Sequence, residues 1–157
     1  MSFRRAALAL TVAAAFLAAA CAAFATIVPQ QSIAGAELGM TKAEVKGVLG
    51  EPSSVESGTN DFGPYKVFHY FRLTVTFQGN QQATAVSTRR FNEKTSKGIG
   101  RGSTEQELKD AHPGVKCKTE FGVRHCWLGR FRPGHRVTDF RIHDGKVSRV
   151  TVAFVID

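Results

Sequence analysis

The sequence predicts an α+β protein built from two tandem repeats, in which a short helix packs on an antiparallel sheet of three or four strands. Two observations lead to this prediction: a helix-start motif that occurs twice, and strand-like segments that follow each copy. We place a signal peptide at residues 1–25, the first repeat at residues 26–92 and the second at residues 93–157. Because a unit of ~65 residues buries little core alone, we expect the two sheets to share an interface.

Residues 1–25 have the form of a secretory signal, with two arginines followed by a run rich in alanine, leucine, valine and phenylalanine. An A-x-A cleavage site ends at Ala25 and predicts a mature chain that starts at Thr26. Lipid modification at Cys21 is an alternative, because Leu17-Ala-Ala-Ala-Cys21 is close to a bacterial lipobox. An uncleaved anchor is another, since ~20 apolar residues suffice to span a bilayer. Each reading predicts a secreted protein or one in the extracytoplasmic cell envelope.

The helix-start motif is a threonine followed three residues later by a glutamate. Thr41 with Glu44, and Thr104 with Glu107, each predict a capping box, in which each side chain accepts a hydrogen bond from the backbone N–H at the other position. Glycine and proline soon follow both copies and end the helices after about two turns. Helices this short are unstable alone, so both must pack on a sheet.

Aromatic and β-branched residues are enriched after each predicted helix, which is typical of strands. The strands predicted in the first repeat are Lys66–Tyr70, Leu73–Gln78 and Gln82–Thr88. Those predicted in the second repeat are Val115–Thr119, Val123–Leu128, Val137–His143 and Lys146–Val155. The dipeptide Asp144-Gly145 is a strong signal for a two-residue hairpin turn. The polar segment Phe91–Gly100 is the natural connector between the repeats.

Cys117 and Cys126 form an even pair of cysteines once the signal is set aside, and an exported protein meets an oxidising environment. Phe121-Gly122 lies between them as a turn, so two flanking strands would bring the sulfurs together. We therefore predict a disulfide. The alternative is a metal site that adds His112 and His125 to the two cysteines, although no usual metal-ligand spacing supports it.

The chain is basic, with 21 lysines and arginines against 13 aspartates and glutamates. Most of the excess lies in residues 96–157. This imbalance predicts an acidic partner, such as an anionic envelope polymer, lipid headgroups or an acidic protein surface, although solubility alone also explains it. Because the chain carries an export signal, we exclude nucleic acid as its physiological ligand.

Aromatic and arginine side chains are the residue types that anchor binding surfaces. Trp127, Arg130, Phe131 and Arg132 follow one another in the second repeat and are candidates for such a surface. The candidates in the first repeat are Tyr65, Phe68 and Tyr70, because one set of alternating strand residues must line the sheet face that the helix leaves open. For each aromatic residue, packing in the core is the alternative.

The sequence contains no Gly-x-Ser-x-Gly, His-Glu-x-x-His or phosphate-loop motif, and its five histidines stand in no recognisable catalytic pattern. We therefore predict no enzyme activity, no cofactor and no metal. The function predicted first is non-catalytic binding of an extracytoplasmic protein. The second is electrostatic binding of an anionic envelope polymer or lipid through the arginine-rich C-terminal half, and the third is a small extracellular enzyme.

The repeated pattern Gly-x-Thr-x-x-Glu-hydrophobic-Lys, followed by a meander, resembles the tandem-repeat fold of secreted β-lactamase inhibitory proteins. Each unit is also similar to the SmpA/OmlA outer-membrane assembly lipoproteins. Gly98-Ile-Gly-Arg-Gly-Ser-Thr-Glu and His112-Pro-Gly-Val-Lys-Cys117 together resemble a motif of uncharacterised secreted actinobacterial proteins. The resemblance implies an extracytoplasmic binding module without catalysis, inhibitor-like or assembly-like, that grips its partner with an aromatic-lined concave sheet.

Overall fold

The computed structural model describes residues 25–79 and 81–156, so Ala25 is the first described residue and Cys21 lies outside them. These described residues are mostly β, with 50% of them in strands or bridges and 11% in helices. The helices are α1 (Lys42–Leu49) and α2 (Glu105–Ala111). The strands are β1 (Ile27–Val28), β2 (Ser32–Ile33), β3 (Ala36–Glu37), β4 (Ser54–Asn60), β5 (Gly63–Tyr70), β6 (Leu73–Gln78), β7 (Ala85–Thr88), β8 (Lys116–Glu120), β9 (Val123–Gly129), β10 (Arg136–His143) and β11 (Lys146–Phe154).

One antiparallel sheet of eight strands dominates the structure, in the order β4-β5-β6-β7-β11-β10-β9-β8. It is continuous because β7 pairs with β11, where Val86 stands opposite Val152. The predicted α+β fold class of two helix-on-sheet repeats is therefore wrong. The physical reason is that β7 and β11 would otherwise be free edges, and pairing them satisfies their backbone groups and removes two edges at once.

A second, three-stranded sheet of β1, β2 and β3 precedes α1. The sequence does not predict it, because its strands have only two residues each and lie between turn residues. Its apolar residues Ile27, Ile33 and Ala36 are fully buried. Strand β4 is also absent from the prediction, since its polar residues are exposed along most of its length and show no alternation.

Strict alternation separates the two faces of the large sheet. In β6, Leu73, Val75 and Phe77 are buried while the intervening residues are only partly so. The buried face packs in one cluster with Val45 of α1 and Leu108 of α2, which places both helices on that side. We call it the covered face and the opposite one the open face. No helix within the described ranges is long and apolar enough to cross a membrane.

Both capping boxes are present and hold the starts of the two helices. The N–H of Thr41 donates to Glu44 Oε2 at 2.8 Å, and the N–H of Glu44 donates to Thr41 Oγ1 at 3.3 Å. The same pair of bonds joins Thr104 and Glu107 at 2.6 Å and 3.1 Å. Each box occupies two backbone N–H groups that a helix start leaves without partners.

Glu105, the first residue of α2, ties this helix to the sheet. Arg124 of β9 donates to its carboxylate through Nε at 3.1 Å and Nη2 at 2.6 Å. Lys109 Nζ lies 2.7 Å from Glu105 Oε1. These cationic donors lower the pKa of Glu105 to about 2, with the Arg124 hydrogen bonds as the largest cause.

The predicted disulfide between Cys117 and Cys126 is confirmed, and it joins directly opposed residues of β8 and β9. The metal-site alternative fails because both sulfurs are bonded to each other and neither is free to act as a thiolate ligand. His112 instead lies beside Phe140, with ring centroids 6.4 Å apart. The disulfide therefore fixes the edge strand β8, which is largely exposed.

Replacing Cys117 and Cys126 together by alanine is expected to lower the free energy of unfolding by about 2–4 kcal/mol, because the cross-link no longer restricts the unfolded chain. Urea unfolding followed by circular dichroism measures the change. The control is wild-type protein unfolded in a thiol reductant, and its free energy of unfolding should fall by a similar amount relative to the oxidised wild type. An unchanged midpoint in both would contradict a stabilising role for this bond.

Glu105→Gln is expected to remove a pH-dependent part of the stability. Because folding lowers the Glu105 pKa from 4.5 to about 2, the charged carboxylate stabilises the fold above pH 4.5 and loses this effect as the pH falls towards 2. The stability difference between wild type and Glu105→Gln should therefore shrink between pH 6 and pH 2.5 in urea unfolding. Glu51→Gln, which removes an exposed pair with Lys46, should show no such trend.

Candidate functional site

The open face of the large sheet carries the polar and charged side chains of the alternating strand residues. At its β4–β5 end, the hydroxyl of Tyr65 donates to Glu56 Oε1 at 3.1 Å, and His69 Nε2 lies 3.3 Å from Glu56 Oε2. The hydrogen bond to the carboxylate is the largest cause that raises the pKa of Tyr65. At the centre, the hydroxyls of Ser87 and Thr151 share a short hydrogen bond across the β7–β11 joint.

Three arginines line a groove beside this centre, and we call it the arginine groove. Arg141 of β10 and Arg149 of β11 stand directly opposite each other, and Arg89 follows the end of β7, the next strand in the sheet. All three line one cavity of about 250 Å³. Arg89 and Arg149 also border a neighbouring cavity of about 420 Å³, and Arg141 and Arg149 border another of about 330 Å³.

None of these three arginines forms an ion pair within residues 25–79 and 81–156. Two arginines on the covered side behave differently: Arg124 pairs with Glu105, and Arg90 pairs with Glu93 at 3.5 Å. A guanidinium stays charged in proteins, and like charges directly opposite in a sheet repel each other. The arginine groove is thus a concentration of positive charge with no carboxylate at ion-pair distance in the described ranges, although Asp139 attracts Arg141 from farther away.

His125 and Asp139 form a polar pair on the open face beside the groove. His125 Nδ1 lies 2.8 Å from Asp139 Oδ1, and its Nε2 lies 3.5 Å from Glu120 Oε2. Burial raises the pKa of Asp139, and the hydrogen bond with His125 partly opposes this. Both ring nitrogens of His125 therefore face carboxylates. A nucleophile–base arrangement needs one of them to face a hydroxyl or thiol instead.

An aromatic cluster occupies the far end of β9. The rings of Trp127 and Phe131 meet edge to face with centroids 5.2 Å apart, and His125 lies 5.3 Å from Trp127. Arg130 and Arg132 line the same cavity of about 500 Å³. The four residues predicted as candidates in the second repeat therefore lie together, and Phe131 is half-exposed.

The three candidates of the first repeat do not lie together. Tyr65 is on the open face, but Phe68 is only 3% exposed and packs against Phe77 with ring centroids 4.8 Å apart. The hydroxyl of Tyr70 donates to the Gly50 carbonyl at the end of α1, on the covered side. Alternation is the reason, because Phe68 and Tyr70 fall on the same face as the buried residues of β6. For Phe68 the core alternative is therefore correct.

Sequence reasoning missed Arg89, Arg149, Glu56 and the pairing of His125 with Asp139. The available signal for Arg149 was its place just after the Asp144-Gly145 hairpin, opposite the arginine-rich stretch of β10. A regular two-residue hairpin pairs residue 141 with residue 148, whereas the structure has a register shift between Arg141 and Ile142 that brings Arg149 opposite Arg141. No local pattern in the sequence indicates that shift.

Comparison with known proteins gives one structural likeness. No known family model matches the chain, and no curated protein sequence matches it. A DUF4309 family protein (YjgB) from Bacillus subtilis has a similar structure, with a TM-score of 0.50 and 16% sequence identity, covering 85% of this chain and 90% of that chain. At this identity the likeness concerns the fold alone. The resemblance to β-lactamase inhibitory proteins, SmpA/OmlA lipoproteins and secreted actinobacterial proteins stays a prediction.

Proposed function

We propose that this protein is a non-catalytic binding module that holds an acidic ligand on the open face of its large sheet. The observation that carries the proposal is the arginine groove, in which Arg89, Arg141 and Arg149 line one cavity and form no ion pair within the described ranges. Export of the protein to the cell envelope, as its first 25 residues predict, would give it access to acidic polymers, lipids and protein surfaces.

The chemistry of the groove favours an anion with several oxygen atoms. A guanidinium presents planar, paired N–H donors that fit carboxylate and phosphate groups, and such charged hydrogen bonds are about twice as strong as neutral ones. An anion between Arg141 and Arg149 would also relieve the repulsion between two opposed charges. Ligand binding would therefore exchange an unfavourable contact of the free protein for a favourable one.

Inorganic polyphosphate serves as a soluble probe for this site. Arg141→Gln with Arg149→Gln is expected to weaken its binding about tenfold or more, because each charged hydrogen bond contributes about 1.5–3 kcal/mol. Isothermal titration calorimetry at low and high salt measures the affinity, and wild-type binding should weaken as salt screens the charges.

The matched control for this experiment is Arg130→Gln with Arg132→Gln, which removes the same net charge at the aromatic end of the sheet. This control should change the affinity less than about threefold, since exposed charges outside a site act weakly. If both double variants lose the same amount of affinity, polyphosphate binding depends only on the total charge of the protein, and the groove is not the site.

The aromatic cluster favours a second candidate function, which is contact with a protein partner. Trp127 and Phe131 form a partly exposed apolar centre, and Arg130 and Arg132 flank it. Buried aromatic anchors with a polar surround are typical of residues that dominate protein–protein binding. This arrangement supports the protein-binding function that the sequence predicts first, at a place separate from the arginine groove.

Affinity capture of envelope proteins by the immobilised mature chain tests this second function. A complex centred on Trp127 and Phe131 should survive moderate salt, because burial of aromatic surface is screened little by ions. Phe131→Ala is expected to abolish capture, while Phe62→Ala, which removes another half-exposed ring elsewhere on the chain, should leave it unchanged. Capture that persists in Phe131→Ala would contradict the role of the cluster.

A further inference from the structure

We propose that one edge of the large sheet docks on an anionic lipid bilayer, with Phe71 and Phe91 entering the headgroup region and neighbouring arginines binding lipid phosphates. The inference rests on the proposed function, because the arginine groove opens at the same edge. We call it the docking edge. This name refers to the rim of the sheet where β5, β7, β8 and β10 end, and not to one of the outermost strands. These four strand ends lie on the same rim because neighbouring strands of an antiparallel sheet alternate in direction.

Exposed phenylalanines stand at the docking edge. Phe71 is the first residue of the β5–β6 turn and is 76% exposed, and Phe91 follows the end of β7 and is 59% exposed. Phe121, in the β8–β9 turn farther along the edge, is fully exposed. Large apolar side chains at loop tips are unfavourable in water and are the residue type that enters a bilayer interface.

Guanidinium groups flank two of these rings. The Arg72 guanidinium lies 5.4 Å from the centre of the Phe71 ring, and the Arg101 guanidinium lies 4.2 Å from the centre of the Phe91 ring. A cation above an aromatic ring is attracted to its face. Each pair combines an apolar ring with a charge that suits the boundary between acyl chains and phosphates.

Backbone contacts hold these pairs in a fixed frame. Arg90 Nε donates to the carbonyl of Phe71 at 2.8 Å, and Arg101 Nη1 donates to the carbonyl of Arg89 at 2.7 Å. Arg89 is also a member of the arginine groove. The rings, the edge arginines and the groove thus form one continuous basic and aromatic surface.

Two acidic residues near this edge pair with a lysine or an arginine, and a third lies beside a histidine. Glu93 is buried and pairs with Arg90, Glu120 pairs with Lys118 at 2.6 Å, and Asp144 lies 3.1 Å from His143. The net charge of the described edge is positive even when Asp144 is counted as unpaired, because further arginines lie there: Arg72, Arg89, Arg101, Arg141 and Arg149. An anionic membrane surface attracts such clusters of arginine and lysine.

The beginning of the described chain lies at the same edge. The N–H groups of Thr26 and Ile27 donate to the Lys94 carbonyl at 3.0 Å and 2.9 Å, and Lys94 Nζ donates to the carbonyl of Arg101 at 2.9 Å. A tether through Cys21, or through the apolar run before it, would therefore hold the docking edge towards the bilayer. This position favours a lipid surface over a soluble acidic protein as the ligand of the edge.

Vesicle co-sedimentation tests the inference with the mature chain. Wild-type protein should bind vesicles of phosphatidylcholine mixed with phosphatidylglycerol and should not bind phosphatidylcholine alone. Phe71→Ser and Phe91→Ser should each weaken binding about fivefold or more, because a serine cannot replace the buried ring. Phe62→Ser is the matched control, since Phe62 is half-exposed in the β4–β5 turn at the opposite edge, and it should bind like wild type.

Polyphosphate titrations of the same variants separate this inference from the proposed function. Phe71→Ser and Phe91→Ser should bind polyphosphate like wild type, whereas Arg141→Gln with Arg149→Gln should lose both polyphosphate and vesicles. Polyphosphate binding without vesicle binding would overturn the membrane inference and leave the proposed function intact. If the double arginine variant still binds both polyphosphate and vesicles, the proposed function and the membrane inference are both wrong. If Phe71→Ser and Phe91→Ser bind vesicles as tightly as wild type, the rings do not enter the bilayer.

The single tryptophan of the sequence provides a second readout. Trp127 pairs with Lys116, at the end of the sheet opposite the docking edge, so brominated lipids should not quench its fluorescence in vesicle-bound protein. Phe71→Trp in a Trp127→Phe background should be quenched and blue-shifted on binding. Quenching of Trp127 with none at position 71 would mean that the opposite edge meets the bilayer, and the inference would be wrong.

Discussion

The pairing of β7 with β11 is the constraint on which the rest of the structure depends. It joins the four strands that follow α1 to the four that follow α2 through a strand of only four residues, Ala85–Thr88. Backbone hydrogen bonds along this joint satisfy two strands that would otherwise present free edges. The joint also brings Arg89 beside Arg149, although the two lie in the halves that precede and follow α2. Without it the arginine groove would not exist.

Division of the sheet into a covered and an open face decides which residues are available for binding. On the covered face, charges are neutralised locally, as Arg124 is by Glu105. On the open face, Arg141 and Arg149 repel each other across adjacent strands and lack carboxylate partners within the described ranges. A stable sheet tolerates this small cost because many apolar contacts lie beneath it. A cluster of like charge on one face creates a local potential that attracts oppositely charged ligands.

Several parts of the site could be read from the sequence, each because its signal is local. The two capping boxes follow from a threonine and a glutamate three residues apart, and the disulfide follows from two cysteines around a turn. The clustering of Trp127 with Phe131 follows from short separation along the chain. Phe68 could not be assigned, because alternation shows that it shares a face with Tyr70 but not whether that face meets the helices or solvent.

The sequence by itself determined the local units: where each helix begins, which segments form the seven strands β5 to β11, which cysteines pair and that the second half is basic. Only the tertiary structure decided that eight strands form one sheet, that residues before α1 build a second sheet and that Arg89, Arg141 and Arg149 share a groove. The physical reason is that strand pairing and register are set by contacts between distant residues. The register shift after Arg141 cannot be predicted from local propensity, yet it determines that Arg149 stands opposite Arg141.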